Sequence, residues 1–366
     1  MSNLQIGLAV AGGLVLAAVV AHGAWTSRKN TPRQAQPEGD SSAGSHSTAS
    51  NASTASHQSI SDGDTQPGQL EPRFDAGFGA GADASFAIPA PEKKPGLDAL
   101  IDVIAPIALD GPASGDAALA AMPATRRVGS KPFAIEGLNA TSLHWEMPAA
   151  GQRYTAFQAG VQLANRLGAL NDIEYSEFVI KAQAFADTVN GTPEFPEMRH
   201  EVARARELDY FAGDHDAQLG FTLRAINAAW SPGYVAQNAA RLGFVPGALP
   251  GRMVLPGSQH GMPPILGLSF DAQAAMAEDP AQSAIRDITL NLDVPQVARS
   301  ERPFVRMRDA ATALAHSMDG VVTDDNGHPL PPDAMDVIGS ELEGLYDTLD
   351  ARELSAGSNL ARRLFS

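Results

Sequence analysis

An α+β fold is predicted, in which two related domains each carry an antiparallel sheet with helices on one face. Three observations predict it. Strand-like alternation and helical runs follow one another in the order β-α-β-β-β-α-β-α, and do so twice. The two runs superpose without a gap from Tyr154–Gly191 onto Ser283–Gly320, an offset of 129 residues. Ahead of both lie an uncharged apolar run and then a polar, Ser/Thr-rich stretch. The 366 residues therefore divide into a single N-terminal transmembrane helix (1–27), a disordered linker (28–97), and two domains at 98–213 and 214–366.

The first element is the run Leu4–Trp25, which contains no charged residue. Twenty-two helical residues span roughly 33 Å, close to the ~30 Å hydrocarbon core of a bilayer. Trp25 stands at its end, where an amphipathic ring suits the interface. Arg28, Lys29 and Arg33 follow at once, and no Lys or Arg precedes the run. The positive-inside rule then sets the N-terminus outside, in the periplasm, and the rest in the cytoplasm. A cleaved signal peptide is the alternative, but it needs a basic start and a core of about 7–15 residues, and Met1–Gln5 offers no Lys or Arg. Gly7 with Ala11, and Ala9 with Gly13, have the small-residue spacing at which two such helices pack.

The linker comes next. Residues 31–70 hold nine Ser and four Thr but only two large aliphatics, Ile60 and Leu70. So little apolar surface cannot offset the entropy of ordering, and disorder is expected. A coil of about 70 residues has an r.m.s. span near 45 Å, so the linker would let the domains search a shell of cytoplasm beside the bilayer. The run Gly77–Asp83 (GFGAGAD) follows no strand and opens no helix, so it fails as a dinucleotide fingerprint.

In the first domain, strands are predicted at Leu100–Leu109, Pro132–Leu138, Ser142–Met147 and Tyr154–Asn165. Helices are predicted at Ser114–Met122, Ser176–Asn190 (stopped by Gly191) and Glu197–Phe211. In the second, the strands are Ala217–Ile226, Gly251–Leu255, Ile265–Phe270, Ile288–Val294 and Val321–Asp325. Its helices are Pro232–Leu242, Pro303–Asp319 (stopped by Gly320) and Pro332–Leu354.

Composition excludes whole classes of chemistry. The net charge is −16. Only 6 basic and 8 acidic side chains precede residue 98, so the two domains carry −14. That argues against nucleic acid, whose binding rests on clustered Lys and Arg, and against docking on anionic lipid. No cysteine is present, which removes disulfides, thiolate nucleophiles and Fe–S clusters. No phosphate-binding GK[ST] loop, HExxH or GxSxG occurs. Neither a catalytic constellation nor a cofactor or metal site is expected. Asp214-His215-Asp216 is the only dense acid–imidazole cluster, and it is read as a solvated turn between the domains. Arg362-Arg363-Leu364-Phe365 is read as a frayed end or as a minor contact site.

Three passages carry a family resemblance: Tyr234–Phe244 (YVAQNAARLGF), Ile288–Pro295 (ITLNLDVP) and Leu314–Ile338 (LAHSMDGVVTDDNGHPLPPDAMDVI). The stretch from about 217 to 354 resembles the C-terminal FtsZ-binding domain of the ZipA family, and the first domain then reads as a degenerate second copy. The anchor-and-linker plan resembles that family too. The resemblance implies a non-enzymatic cell division protein of the inner membrane. Such a protein holds the C-terminal tail of FtsZ in a shallow apolar groove on an uncovered sheet face, ties the Z ring to the membrane and meets other division proteins. The other reading is a membrane-tethered regulator whose paired domains bind a small ligand between them.

Two sets of residues are candidates for the groove. In the second domain Gly220, Thr222, Thr289 and Asn291 should line the open face with Gln218, which makes it polar and small, and Gly327 stands where the family has a basic residue. In the first domain Ile101, Val103, Ala105 and Ile107 form a wholly apolar set, which alignment of the repeats places opposite Gln218, Gly220 and Thr222. An open face on that strand would be apolar and suit a peptide. The opposite strand parity makes the same residues core.

Overall fold

The computed structural model describes residues 32–35, 96–259, 261–324 and 326–366. The run expected to cross the membrane and most of the linker lie outside these residues. Among the described residues no helix is long and apolar enough to cross a membrane.

The first domain runs β1 (Asp102–Ser114), α1 (Gly115–Ala121), β2 (Arg127–Val128), β3 (Lys131–Asn139), β4 (Trp145–Glu146), β5 (Arg153–Gln162), a ribbon of β6 (Ala164–Asn165) and β7 (Gly168–Ala169), α2 (Asp172–Thr188), β8 (Gly191–Pro193) and α3 (Met198–His215). Its sheet has the order β2-β3-β5-β1-β8, with β4 on β3. The second domain runs β9 (Gln218–Ala225), α4 (Pro232–Ala240), β10 (Val245–Pro246), β11 (Arg252–Leu255), β12 (Leu266–Ser269), α5 (Ala272–Ala275), β13 (Asp287–Asp293), α6 (Pro303–Met318), β14 (Gly320–Thr323), α7 (Pro332–Ala351) and α8 (Asn359–Leu364). Its order is β10-β11-β12-β13-β9-β14. The paths β3-β5-β1-β8 and β12-β13-β9-β14 are thus the same path, every pairing along them antiparallel.

Local chemistry sets the helix ends. Asn171 and Glu174 close a reciprocal capping box on α2, and the Ser231 hydroxyl accepts from Tyr234 N (3.2 Å) ahead of Pro232 at the start of α4. The expected glycine stops of α2 and α6 sit one residue earlier. Asn190 (φ +52°) and Asp319 (φ +56°) make the left-handed turn, and Gly191 and Gly320 already begin the edge strands. Asn and Asp tolerate that conformation, because a short polar side chain bonds locally. Gly191 is needed for closeness, since a Cβ there would stand 2.7 Å from Ile107 Cγ2.

Helices cover one face of each sheet. Phe157 meets Phe185 of α2 edge-on at 5.1 Å, Phe133 meets Phe178 at 6.1 Å, and Phe221 meets Phe304 of α6 at 6.1 Å. The odd-numbered set of β1 belongs to this covered face. Ile101, Val103, Ala105 and Ile107 are buried in the core.

Three further readings are corrected. His215 is no linker turn: it ends α3, stacks on Phe211 at 4.3 Å and bonds its carbonyl through Nδ1 (2.7 Å), while Asp216 pairs with Arg166. The C-terminus is not frayed, because Ala361, Leu364 and Phe365 are buried. Arg363 reaches Asp102 Oδ1 at 2.5 Å in the first domain, while Gln296 Nε2 of the second donates to Phe365 O (2.7 Å). Residues 32–35, expected inside the disordered linker, pair with the second domain at Trp230.

The Asp102 side chain is fully buried, and burial pushes its carboxyl above the ordinary carboxylate range against the pull of Arg363. A carboxyl raised on folding contributes most below its unfolded pKa and loses that contribution as pH rises through its folded value. Arg363→Met leaves the Asp102 charge buried and unpaired, so about 3 kcal/mol of stability is lost at neutral pH. The deficit shrinks on acidification, as protonation removes the unpaired charge; urea unfolding midpoints at two pH values check both.

Candidate functional site

The uncovered faces of the two sheets are the candidate sites. Cross-strand register fixes which residues share them. In the second domain Ser269, Thr289, Thr222 and Thr323 form one row across β12, β13, β9 and β14, and Thr323 at its end is buried with its hydroxyl on Thr222 O (3.2 Å). Gly267, Asn291 and Gly220 form the next, with Asn291 Nδ2 donating to Ser269 Oγ (3.2 Å). Arg224 closes one end on Asp287 (2.8 Å). All four residues expected here, Gly220, Thr222, Thr289 and Asn291, therefore lie together on the open face. Over β12, β13 and β9 it offers hydroxyls, an amide and backbone, and the row of Gly267 continues to Val254 on β11 and the exposed Val245 on β10.

The first domain differs. With Ile101, Val103, Ala105 and Ile107 in the core, its open face carries the even set of β1. Ile104 stands beside Gly160 and Ala134, Pro106 beside Gln158 and Glu136, and Ala108 beside Ala156 and Leu138, with Trp145 beyond Leu138. Apolar side chains predominate, and Trp145 is 38% exposed. One end is roofed. Leu97 lies on Gly160, where a Cβ would stand 2.4 Å from the leucine, and Leu97 N donates to Glu136 Oε1 (3.1 Å). Gln158 Nε2 holds the other oxygen of Glu136 (2.8 Å). The strip from Pro106 and Ala108 to Leu138 and Trp145 stays uncovered.

A one-residue slip explains the misplaced set. Gly191 faces Leu109 on one edge, and Gly320 faces Ala225 on the other. Leu109 therefore corresponds to Ala225, and Ile104, Pro106 and Ala108 to Gly220, Thr222 and Arg224. The alignment that matched Val103 with Gly220 is one residue out, and in a strand one residue exchanges the faces.

The junction between the domains was the expected place for a small ligand. Arg166 pairs there with Asp216 (2.6 Å) and Asp293 (2.7 Å), and the C-terminal Leu364 and Phe365 line the adjoining cavity of about 560 Å³. Lys131, which sequence reading passed over, is buried with Nζ on Ser130 Oγ (2.6 Å) and Asn165 Oδ1 (3.1 Å), a structural arrangement. Among the described residues no group of three or more His, Asp or Glu is placed to hold a metal ion.

The face assignment predicts opposite responses from neighbours on β1. Val103→Glu buries an unpaired charge and costs more than about 4 kcal/mol, whereas Ile104→Glu costs about 1 kcal/mol. Thermal unfolding of the two variants compares them.

No curated protein matches the chain. Residues 274–341 match the family of the ZipA C-terminal FtsZ-binding domain, a stretch that holds β13, α6, β14 and the first half of α7. The chain is a ZipA-like protein, and its second domain carries the likeness.

Proposed function

We propose that this chain is a cell division protein that binds the C-terminal tail of FtsZ and ties the polymer to the inner membrane through residues 4–25. The observation that carries the reading is the family match at 274–341, which coincides with the helix layer and two strands of the second domain. The charge order around Leu4–Trp25 supports an N-out, C-in anchor. No step of the reading calls for catalysis: the protein is an adaptor, and its chemistry is that of surfaces.

The peptide docks on the open face of the first domain. An extended or helical segment gains most of its affinity by burying a few large apolar side chains in a complementary surface. Pro106, Ala108, Ala156, Leu138 and Trp145 supply such a surface, while Thr222, Thr289 and Asn291 bond with water as readily as with a peptide. The family likeness and the apolar face thus belong to different copies of one scaffold.

Titration of a fluorescent peptide of the FtsZ C-terminus against the full chain in detergent tests this. Ala108→Asp with Ala156→Asp should weaken binding about tenfold or more, since both charges stand in the apolar strip. Thr222→Glu should change it less than about twofold. The reverse pattern moves the site to the second domain, and absence of binding by the unaltered chain overturns the reading. Flotation with liposomes should be lost when residues 4–25 are deleted.

A further inference from the structure

Residues 32–35 make a contact that neither the fold nor the adaptor reading requires. Arg33 N donates to Ala229 O (2.7 Å), and Ser231 N donates to Arg33 O (2.9 Å), which forms a parallel bridge to Trp230. Trp230 is fully buried and pairs on its other side with Ile285 through two bonds of 2.8 Å. The segment therefore extends a small sheet already in place. Pro32 is buried against the domain, and it lacks the N–H that an added strand would otherwise have to satisfy.

The Arg33 side chain is held as deliberately as its backbone. Nη2 meets Asp319 Oδ2 at 3.0 Å and Nη1 donates to Met318 O at 3.2 Å. Both acceptors stand at the C-terminal end of α6, the negative end of its dipole. The cradle is braced from behind. Trp230 Nε1 donates to the same Met318 carbonyl (2.8 Å), and Asn227 Nδ2 to the same Asp319 carboxylate (2.9 Å). A planar fork spans two acceptors of this kind, which an ammonium does less well. The ion pair is about one-third exposed, so the main-chain bonds and the buried Pro32 supply most of the hold.

We propose that the second domain carries a binding site for an extended, arginine-bearing peptide segment, formed by the main chain of 229–231 and the C-terminal end of α6, and that Pro32–Gln34 of the same chain occupies it. The consequence, which rests on the anchor reading, concerns where the domain sits. Only six residues separate Trp25 from Pro32. Fully extended they reach about 25 Å. The docked segment pins the second domain beside the bilayer, and residues 36–95 join the second domain to the first instead of spacing both from the membrane. It also offsets the repulsion between acidic domains and anionic lipid.

The chain has no cysteine, so Glu341→Cys places one dye on α7, and an acceptor dye sits in the lipid of a nanodisc holding the full chain. Energy transfer should be high, and should fall at least about threefold when Pro32→Gly and Arg33→Glu are combined. Unchanged transfer overturns the pinning. A second arm does not depend on the membrane. The peptide acetyl-Thr-Pro-Arg-Gln-Ala-amide should bind the Pro32→Gly, Arg33→Glu chain and be excluded from the unaltered one, and its lysine analogue should bind about fivefold more weakly. Equal binding to both chains, or binding to neither, overturns the site. Failure of the full chain to float with liposomes sinks the anchor reading alone, and leaves the peptide arm to judge the site.

Discussion

Each sheet has one face under helices and one face in water, and everything else in the molecule depends on that asymmetry. Burial fixes strand register, because a shift by one residue would exchange Ile107 and Phe157 for Ala108 and Ala156 beneath α2. The covered faces are therefore similar in kind: Val103, Ala105, Ile107 and Phe157 in one sheet, Phe221, Leu223, Ile288 and Leu290 in the other. The open faces are under no such constraint. Four strands in the same order carry an apolar strip in the first domain and a row of hydroxyls in the second.

Most of the elements were legible because their sequences are amphipathic at one period only. Ile288–Val294 alternates cleanly and becomes β13, displaced by one residue; Pro332 opens α7 where expected, while α4 ends at Ala240, three residues before the left-handed Gly243. The first strand left both parities open for a physical reason. Ile104, Pro106 and Ala108 are as apolar as the set between them, so the strand has no polar face to declare its parity. On the second domain, where Leu219, Phe221 and Leu223 alternate with Gly220 and Thr222, the alternation gives the face on which Gly220, Thr222, Thr289 and Asn291 lie.

Two features had no signature that periodicity could find. The docking of residues 32–35 is made chiefly by main-chain bonds, and any residue but proline offers those. The C-terminal segment shows its partners only in three dimensions. Arg363 finds Asp102, 261 positions away, and the Gln162 amide takes the Arg363 carbonyl at 2.8 Å. Local sequence reports local chemistry, so a short polar or basic segment looks idle until the surface it meets is known.

The family match and the apolar face point to different halves of the chain, and the physics of the fold accounts for the divergence. The matched stretch includes scaffold positions: the buried Leu290 and Leu314, the left-handed Asp319, Gly320 at the edge and Pro332 at the start of α7. None of these is an open-face position, so packing and turn geometry constrain them whatever the open face carries. In a chain with two copies of one scaffold, either face is free to lose its apolar residues once the other holds the partner. Loss also benefits the copy that loses them, because an uncovered apolar sheet is an aggregation hazard and a row of threonines is not. The likeness lies in the second domain, while the apolar open strip of Pro106, Ala108, Leu138 and Trp145 lies in the first.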